Sequence, residues 1–281
     1  MMFIVPSDPL RPRRADPQFE PEATAAREAG LPVALVDHDA LTRPDGVAEA
    51  VGRVPSGGGS DAVYRGWMLR SEQYAAFAAA LHARGVELRT RPEQYRRAHE
   101  LPGWYAELIG ATPDSRWSVG PARADFERCC VELGPGPAVL RDYTKSMKHY
   151  WHEAAFIPDV ADLEGAWRVA ARFLELREDA FVGGLVLRRF EELTTAEVRT
   201  WWVRGRCVLV DAHPDTPDHL PPPDVDPGAL APRVAALGLP FVTVDLALRR
   251  DGLWRVIEVG DGQVSDRPAT LDPATFVTAV L

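Results

Sequence analysis

The chain has 281 residues and a formal net charge of −9, from 32 basic and 41 acidic side chains. That length buries a sizeable core without help from disulfides or a structural metal, and three cysteines, with Cys129 and Cys130 adjacent, form neither a disulfide framework nor a CxxC metal pair. The acidic balance counts against a non-specific nucleic-acid binder, and no apolar run reaches the ~18 residues of a membrane span. Met1–Leu10 lacks the basic start and apolar stretch of a secretory signal, so a reducing cytoplasm is the expected location.

The first third alternates strand and helix. Met2–Val5 is a short apolar strand followed by a loop, Pro6–Pro17. Pro21–Gly30 has Pro near its start, an Ala-rich interior and Gly at its end, the grammar of a helix. Leu31–Val36 reads as a second strand and Asp61–Tyr64 as a third. Ser56–Ser60 resembles a phosphate loop but lacks the Gly-Lys-Ser ending, so it is taken as a flexible turn. Ser71 is placed to cap a helix with Tyr74, Phe77, Ala78 and Leu81 on one face, ended by Gly85 before the strand Val86–Leu88. Such alternation implies a parallel sheet covered by helices.

The pattern changes near residue 120. A strand, Ala138–Tyr143, runs into Arg141-Asp-Tyr-Thr-Lys-Ser-Met-Lys-His149, which holds Lys145 and Lys148. These are the chain's two lysines; the other 30 basic residues are arginine, and asparagine is absent. Lysine is a compact point charge where arginine is a planar fork, so a site needing the compact charge retains it. Asp162–Glu178 reads as an amphipathic helix, followed by strands Val182–Phe190, Glu197–Val203 and Arg206–Val210, the last two joined by an Arg204-Gly205 turn. Residues 211–227 are rich in Pro and Asp; they contain His213 and His219, whose spacing is poor for a metal pair, and read as a surface loop. A short helix over Leu230–Leu237, two strands and a helix capped by Asp272 complete an antiparallel-rich α+β half.

The last two strands, Phe241–Leu248 and Leu253–Val259, flank Asp251-Gly252, a favoured two-residue hairpin turn. That turn sets Asp245 directly across from Glu258; a four-residue loop centred on the same point keeps the pairing, and a three-residue loop breaks it. Facing carboxylates repel unless a cation lies with them, and hard divalent ions such as Mg²⁺ take one or two carboxylates together with substrate phosphates. Val242, Val244, Leu246 and Leu248 supply a separate core face. Upstream, Arg188 and Arg189 precede Phe190-Glu191, and Glu197 and Arg199 share one strand face, suited either to phosphate oxygens or to a cross-strand ion pair. Trp201 and Trp202 are expected to pack rather than stack on bases.

Taken in order, these motifs resemble the ATP-grasp enzymes, and within them the clade named for its two arginines and a lysine. The likeness covers roughly residues 120–270. It implies a small N-terminal α/β domain over residues 1–120, then a core over 121–281 in which two antiparallel-rich subdomains clasp ATP. It further implies that Arg141, Lys145 and Lys148 hold phosphates, that Arg189, Glu191 and Glu197 serve the nucleotide, and that Arg199 faces the γ-phosphate or an acyl intermediate. Asp245 and Glu258 would hold Mg²⁺. Where the wider family commonly carries an Asn two residues after the Glu, this chain has Gly260; Asp261, or failing that Gln263, is the expected substitute ligand. The activity so implied is an ATP- and Mg²⁺-dependent ligase joining a small-molecule or peptide carboxylate to an amine or similar nucleophile. The loops at Ser7-Asp8 and Arg65-Gly-Trp67 would then lie near the substrate, with Arg65 pairing its carboxylate. A non-catalytic nucleotide-binding protein on the same fold and an enzyme modifying nucleic-acid ends are the alternatives.

Overall fold

The computed structural model describes residues 1–281 apart from Gly58, Gly59 and Asp224; two glycines of the Ser56–Ser60 turn thus lie outside the described residues. The chain forms two compact units, one of residues 1–98, 196–246 and 258–281, the other of residues 99–195 and 247–257. Among the described residues no helix is long and apolar enough to cross a membrane.

In the first unit, β1 (Met2–Pro6), β2 (Val33–Val36), β3 (Ser60–Tyr64) and β4 (Val86–Leu88) form a parallel sheet in the order β2-β1-β3-β4. Every residue of β1 is buried, as a central strand covered on both faces requires. Ile4 and Tyr64 pack on one side with Tyr74, Phe77 and Leu81 from the helix Ser71–His82. Phe3, Val5 and Val63 pack on the other with Phe19, Ala23 and Phe276. The helix Ser71–His82 begins one residue away from the expected cap: the Gln73 side chain accepts a hydrogen bond from Arg70 N at 2.9 Å, and Ser71 is its first residue.

The second unit carries β5 (Ser115–Trp117), β6 (Ala138–Arg141), β7 (Phe156–Ile157) and β8 (Val186–Arg189), an antiparallel sheet in the order β5-β8-β6-β7. Its core gathers Phe126, Ala166, Ala170 and Phe173 from the helices Arg123–Leu133 and Leu163–Arg177 onto Ala138, Leu140 and Leu187. The sequence boundary at 120 falls inside this unit, because β5 pairs with β8, far downstream in the chain. The strand expected from Val182 starts only at Val186. Before it, Gly184 passes so close to Ser118 that an added Cβ would lie 1.9 Å from the Ser118 carbonyl oxygen, so no larger residue fits.

The third sheet holds β9 (Val198–Val203), β10 (Arg206–Ala212), β11 (Phe241–Leu248) and β12 (Trp254–Asp261), in the order β10-β9-β11-β12. Arg204 and Gly205 both have positive φ, at 49° and 76°, as a tight hairpin turn between β9 and β10 demands. The β11–β12 turn departs from the two-residue form expected. Arg249 N donates to Leu253 O at 2.9 Å and Gly252 N to Arg249 O at 2.9 Å, with Gly252 at φ 87°, which is the three-residue loop closed by a left-handed glycine. At the other end of the hairpin Gly262 N donates to Phe241 O and Thr243 Oγ1 to Gly260 O, contacts that match the predicted register. One extra residue is therefore absorbed between Leu253 and Gly260.

Candidate functional site

Candidate residues fall into one cluster in each unit. In the second unit, β6 delivers Arg141 into a loop organised by Asp142, which is fully buried. Asp142 Oδ1 accepts from Thr144 N and Lys145 N, each at 2.7 Å, and its Oδ2 pairs with Arg177 at 2.7 Å. Arg141 is buried with its Nη2 donating to Thr144 O at 2.6 Å. The result is a tight turn whose tip, Lys145, is exposed. Lys148, also exposed, begins a short 3₁₀ turn, Lys148–Tyr150. Asp142 is not among the residues the motifs single out; the signal for it is an Asp two residues before a Thr, the mark of a side chain that folds back on its own backbone.

Trp151 stacks on Phe156 at 5.4 Å, and Phe190 meets Phe156 edge-on at 5.3 Å. Beside Phe190 opens a cavity of about 490 Å³ lined by Phe190, Glu191, Glu192, Leu193, Thr194 and Arg250. Glu191 does not offer it a free carboxylate. Its oxygens pair with Arg255 at 2.8 and 2.9 Å and with Arg249 at 3.0 Å. Arg189 is likewise committed. Its terminal nitrogens donate to the carbonyls of Leu133, Gly134, Pro135 and Pro137, so it ties down the end of the helix Arg123–Leu133 and is not placed as a nucleotide ligand. Arg188 is buried against Thr112 Oγ1 and the Val256 and Ile257 carbonyls.

In the first unit, Arg199 on β9 lies in register with Asp245 on β11. Its Nε and Nη2 donate to the two Asp245 oxygens at 2.8 Å each, Nη1 donates to Asp266 O at 3.0 Å, and Nη2 lies 2.9 Å from His213 Nε2. Asp245 is 3% exposed. Burial pushes its carboxyl up, but the Arg199 charge and hydrogen bonds, with His213, outweigh that and hold it at about 2. For Arg199 burial works against the charge, and Asp245, Glu258 and Asp266 together hold it protonated. Glu258 is half-buried and near enough to contribute to that balance. Glu197 and His213 complete the group: one ligand atom from each of Glu197, His213 and Asp245 lies within 4.8 Å of the others.

His213 corrects the reading of residues 211–227 as a plain surface loop. A bulge between Cys207 and Leu209 moves the β9–β10 register by one residue, and His213 N then donates to Glu197 O at 3.3 Å. A hairpin counted from its turn without the bulge pairs the wrong residues, which hid the histidine.

Asp261 and Gln263, the expected substitute ligands, belong elsewhere. Asp261 is 1% exposed, its Oδ1 accepts from Gln263 N at 2.8 Å, and its Oδ2 is buried without a well-formed hydrogen bond. Burial pushes its carboxyl up to about 6, only partly offset by Thr90, Gln263 and the Arg65 charge. Gln263 accepts from Tyr64 N at 3.1 Å and donates to Tyr74 OH at 2.6 Å, fastening β3. Alternation explains the outcome: Asp261 lies an odd number of residues from Glu258 along β12 and so faces away from it. Arg65 is a correction of the same kind. It is 1% exposed, paired bidentately with Glu22 at 2.7 and 3.1 Å, and donates to the Gly262, Gln263 and Ser265 carbonyls. It is a structural pin with nothing left for a substrate. Asp8 likewise caps its own loop by accepting from Leu10 N at 2.8 Å and pairing with Arg11. Trp201 packs between Phe241 and Phe276, as expected of a core residue.

Residues 132–280 match the ATP-grasp domain of family 3 of the clade named for two arginines and a lysine. No curated protein matches the sequence. Among solved structures the chain is similar to the D-cycloserine synthetase DcsG, at 18% identity over 100% of this chain and 98% of that one, with a TM-score of 0.65. It is also similar to a RimK domain protein of the ATP-grasp type from Sphaerobacter thermophilus, at 18% identity, 99% of both chains and a TM-score of 0.61. A third similar structure is the ATP-grasp ligase PsnB complexed with minimal precursor, Mg and ADP, at 13% identity, 99% of this chain, 96% of that one and a TM-score of 0.57. At these identities the likeness is one of fold.

Proposed function

Because this chain belongs to the two-arginine, one-lysine clade of ATP-grasp domains, we propose that it is an ATP- and Mg²⁺-dependent ligase that activates a carboxylate and joins it to an amine or a similar nucleophile. In that reaction the γ-phosphoryl group passes to a carboxylate oxygen and ADP leaves. The nucleophile then attacks the carbonyl carbon, gives up a proton, and phosphate departs with the carboxylate oxygen. The observation that carries the reading is the pair of carboxylates, the buried Asp245 and the half-buried Glu258, set beside the same Arg199. Arg199 supplies the cation that keeps Asp245 ionised in this structure; once it turns to the phosphoryl group, two carboxylates with phosphate oxygens suit Mg²⁺. The residues present therefore fit the ion, with Asp245 and Glu258 as its holders. Bound there, Mg²⁺ would neutralise phosphate charge.

Lys145 and Lys148 supply compact point charges for phosphate oxygens, and Arg141 positions Lys145 through the Thr144 carbonyl. The cavity beside Phe190 combines a flat aromatic wall and Leu193 with a polar rim, a lining that suits a nucleobase. Arg199, released from Asp245, is the cation for charge developing on the transferred phosphoryl group. PsnB, crystallised with a precursor peptide, and DcsG, a synthetase of a small molecule, bracket the substrate classes: a peptide or a small carboxylic acid.

ADP release from ATP and Mg²⁺ in the presence of a panel of carboxylates and amines, with calorimetry of ATP binding alongside, tests the reading. Glu258→Gln is expected to abolish turnover while keeping ATP binding; unchanged turnover would reject the assigned metal holders. One observation favours a second reading, a nucleotide-binding protein without catalysis. Gly260 stands where a third ligand is common, and neither Asp261 nor Gln263 replaces it. ATP binding with no ADP release under any acid–amine pair would support that alternative.

A further inference from the structure

Arg199 does more in this structure than neutralise Asp245. Its Nη2 stands 2.8 Å from Asp245 Oδ2 and 2.9 Å from His213 Nε2, two members of the one group of three His, Cys, Asp or Glu residues with mutually close ligand atoms found among the described residues, Glu197 being the third. A positively charged nitrogen therefore stands between two of the three candidate ligands. We propose that Glu197, His213 and Asp245 form a binding site for a transition-metal dication of the Zn²⁺ class, filled by the Arg199 guanidinium in the free protein.

The chemistry separates this site from one for Mg²⁺. Imidazole nitrogen is a poor ligand for hard Mg²⁺ and a good one for Zn²⁺ or Co²⁺, and one histidine with two carboxylates is a mixed N,O set that such ions accept. Two donors approach the His213 ring: Arg199 Nη2 lies 2.9 Å from Nε2, and Asp215 N donates to Nδ1 at 3.1 Å. A neutral imidazole has one lone pair, so the two contacts compete for the tautomer, and an ion on Nε2 selects the form protonated at Nδ1. Asp215 Oδ2, 3.9 Å from Nδ1, is the nearby carboxylate toward which that proton would point. Arg199 also has somewhere to go: it keeps the Asp266 carbonyl at 3.0 Å and the Glu258 charge when it leaves Asp245. Asp245 is shared with the proposed Mg²⁺ holders, so an ion bound here would compete with Mg²⁺–ATP. That consequence rests on the proposed function; the binding itself does not.

Calorimetric titration of the nucleotide-free protein with ZnCl₂, with the Co²⁺ visible spectrum as a second readout, tests the site. One ion per chain is expected. His213→Ala should weaken it about tenfold or more, and Glu197→Gln should weaken it measurably, with thermal unfolding confirming that both variants fold. Zn²⁺ affinity unchanged in His213→Ala would assign the ion to other histidines or cysteines and overturn the proposal, as would no stoichiometric binding by the parent protein. If Zn²⁺ binds as expected but does not slow ADP release, the ion site stands and the assignment of Asp245 to Mg²⁺ falls.

Discussion

Arg199 and Asp245 lie directly across from each other on neighbouring antiparallel strands, 46 residues apart in sequence, and meet through two hydrogen bonds of 2.8 Å. The fork geometry fixes the buried carboxylate more tightly than a single contact does. Breaking such a pair from one side leaves a charge uncompensated, a larger loss than the pair's own net contribution. Arg199→Met should therefore destabilise the protein by about 3–5 kcal/mol in denaturant unfolding, and the double variant Arg199→Met, Asp245→Asn should recover most of it. A double-variant loss equal to the sum of the Arg199→Met and Asp245→Asn losses would show that the pair carries no coupling.

The loop bearing Lys145 depends on Asp142, which is fully buried and serves Thr144, Lys145, Arg177 and Val182 together. Asp142→Ala leaves several buried donors and the Arg177 charge without an acceptor, at a cost of about 3–5 kcal/mol. Urea unfolding measures it; a loss under about 1 kcal/mol would mean that solvent replaces the carboxylate.

Lys145 gives the opposite expectation. Its side chain is exposed, so Lys145→Ala should leave stability within about 0.5 kcal/mol. Removing one charge-assisted phosphate contact should weaken ATP binding by about tenfold or more in calorimetry. Unchanged affinity would remove Lys145 from the nucleotide's ligands.

Asp261 makes stability depend on pH. Its carboxyl is raised from 3.8 to about 6 in the folded protein, so the folded state holds the proton more tightly than the unfolded chain. Stability is then greatest below about pH 4 with respect to this group, and declines as pH rises to about 6, by at most about 3 kcal/mol at pH 7. Asp261→Asn should be more stable than the parent at pH 7 and should flatten that decline. Parallel pH profiles for the two proteins would refute the assignment.

Gly184→Ala tests the close passage beside Ser118. A Cβ 1.9 Å from a backbone oxygen cannot be accommodated by a side-chain rotation, so the variant is expected to lose several °C in melting temperature or to fail to fold. A melting temperature equal to the parent's would mean that the backbone shifts freely there.

Much of the architecture was legible from residue order. Alternating strand and helix signals, with apolar residues at the matching periods, specify the parallel sheet of β1–β4, because local periodicity decides which face is buried. The Arg204-Gly205 turn and the strand bearing Asp245 follow from the same local rules. What the sequence could not determine was the use of each charged side chain. Arg65, Arg189 and Arg255 are consumed by distant carbonyls and by Glu22 or Glu191, whereas Arg199 faces Asp245 and His213. These roles depend on pairings between residues far apart in the chain, and on a single bulge and a single turn length that each move a register by one. Since a one-residue slip sends a side chain to the other face of a sheet, only the tertiary structure decides that His213 joins Asp245 and that Asp261 turns away.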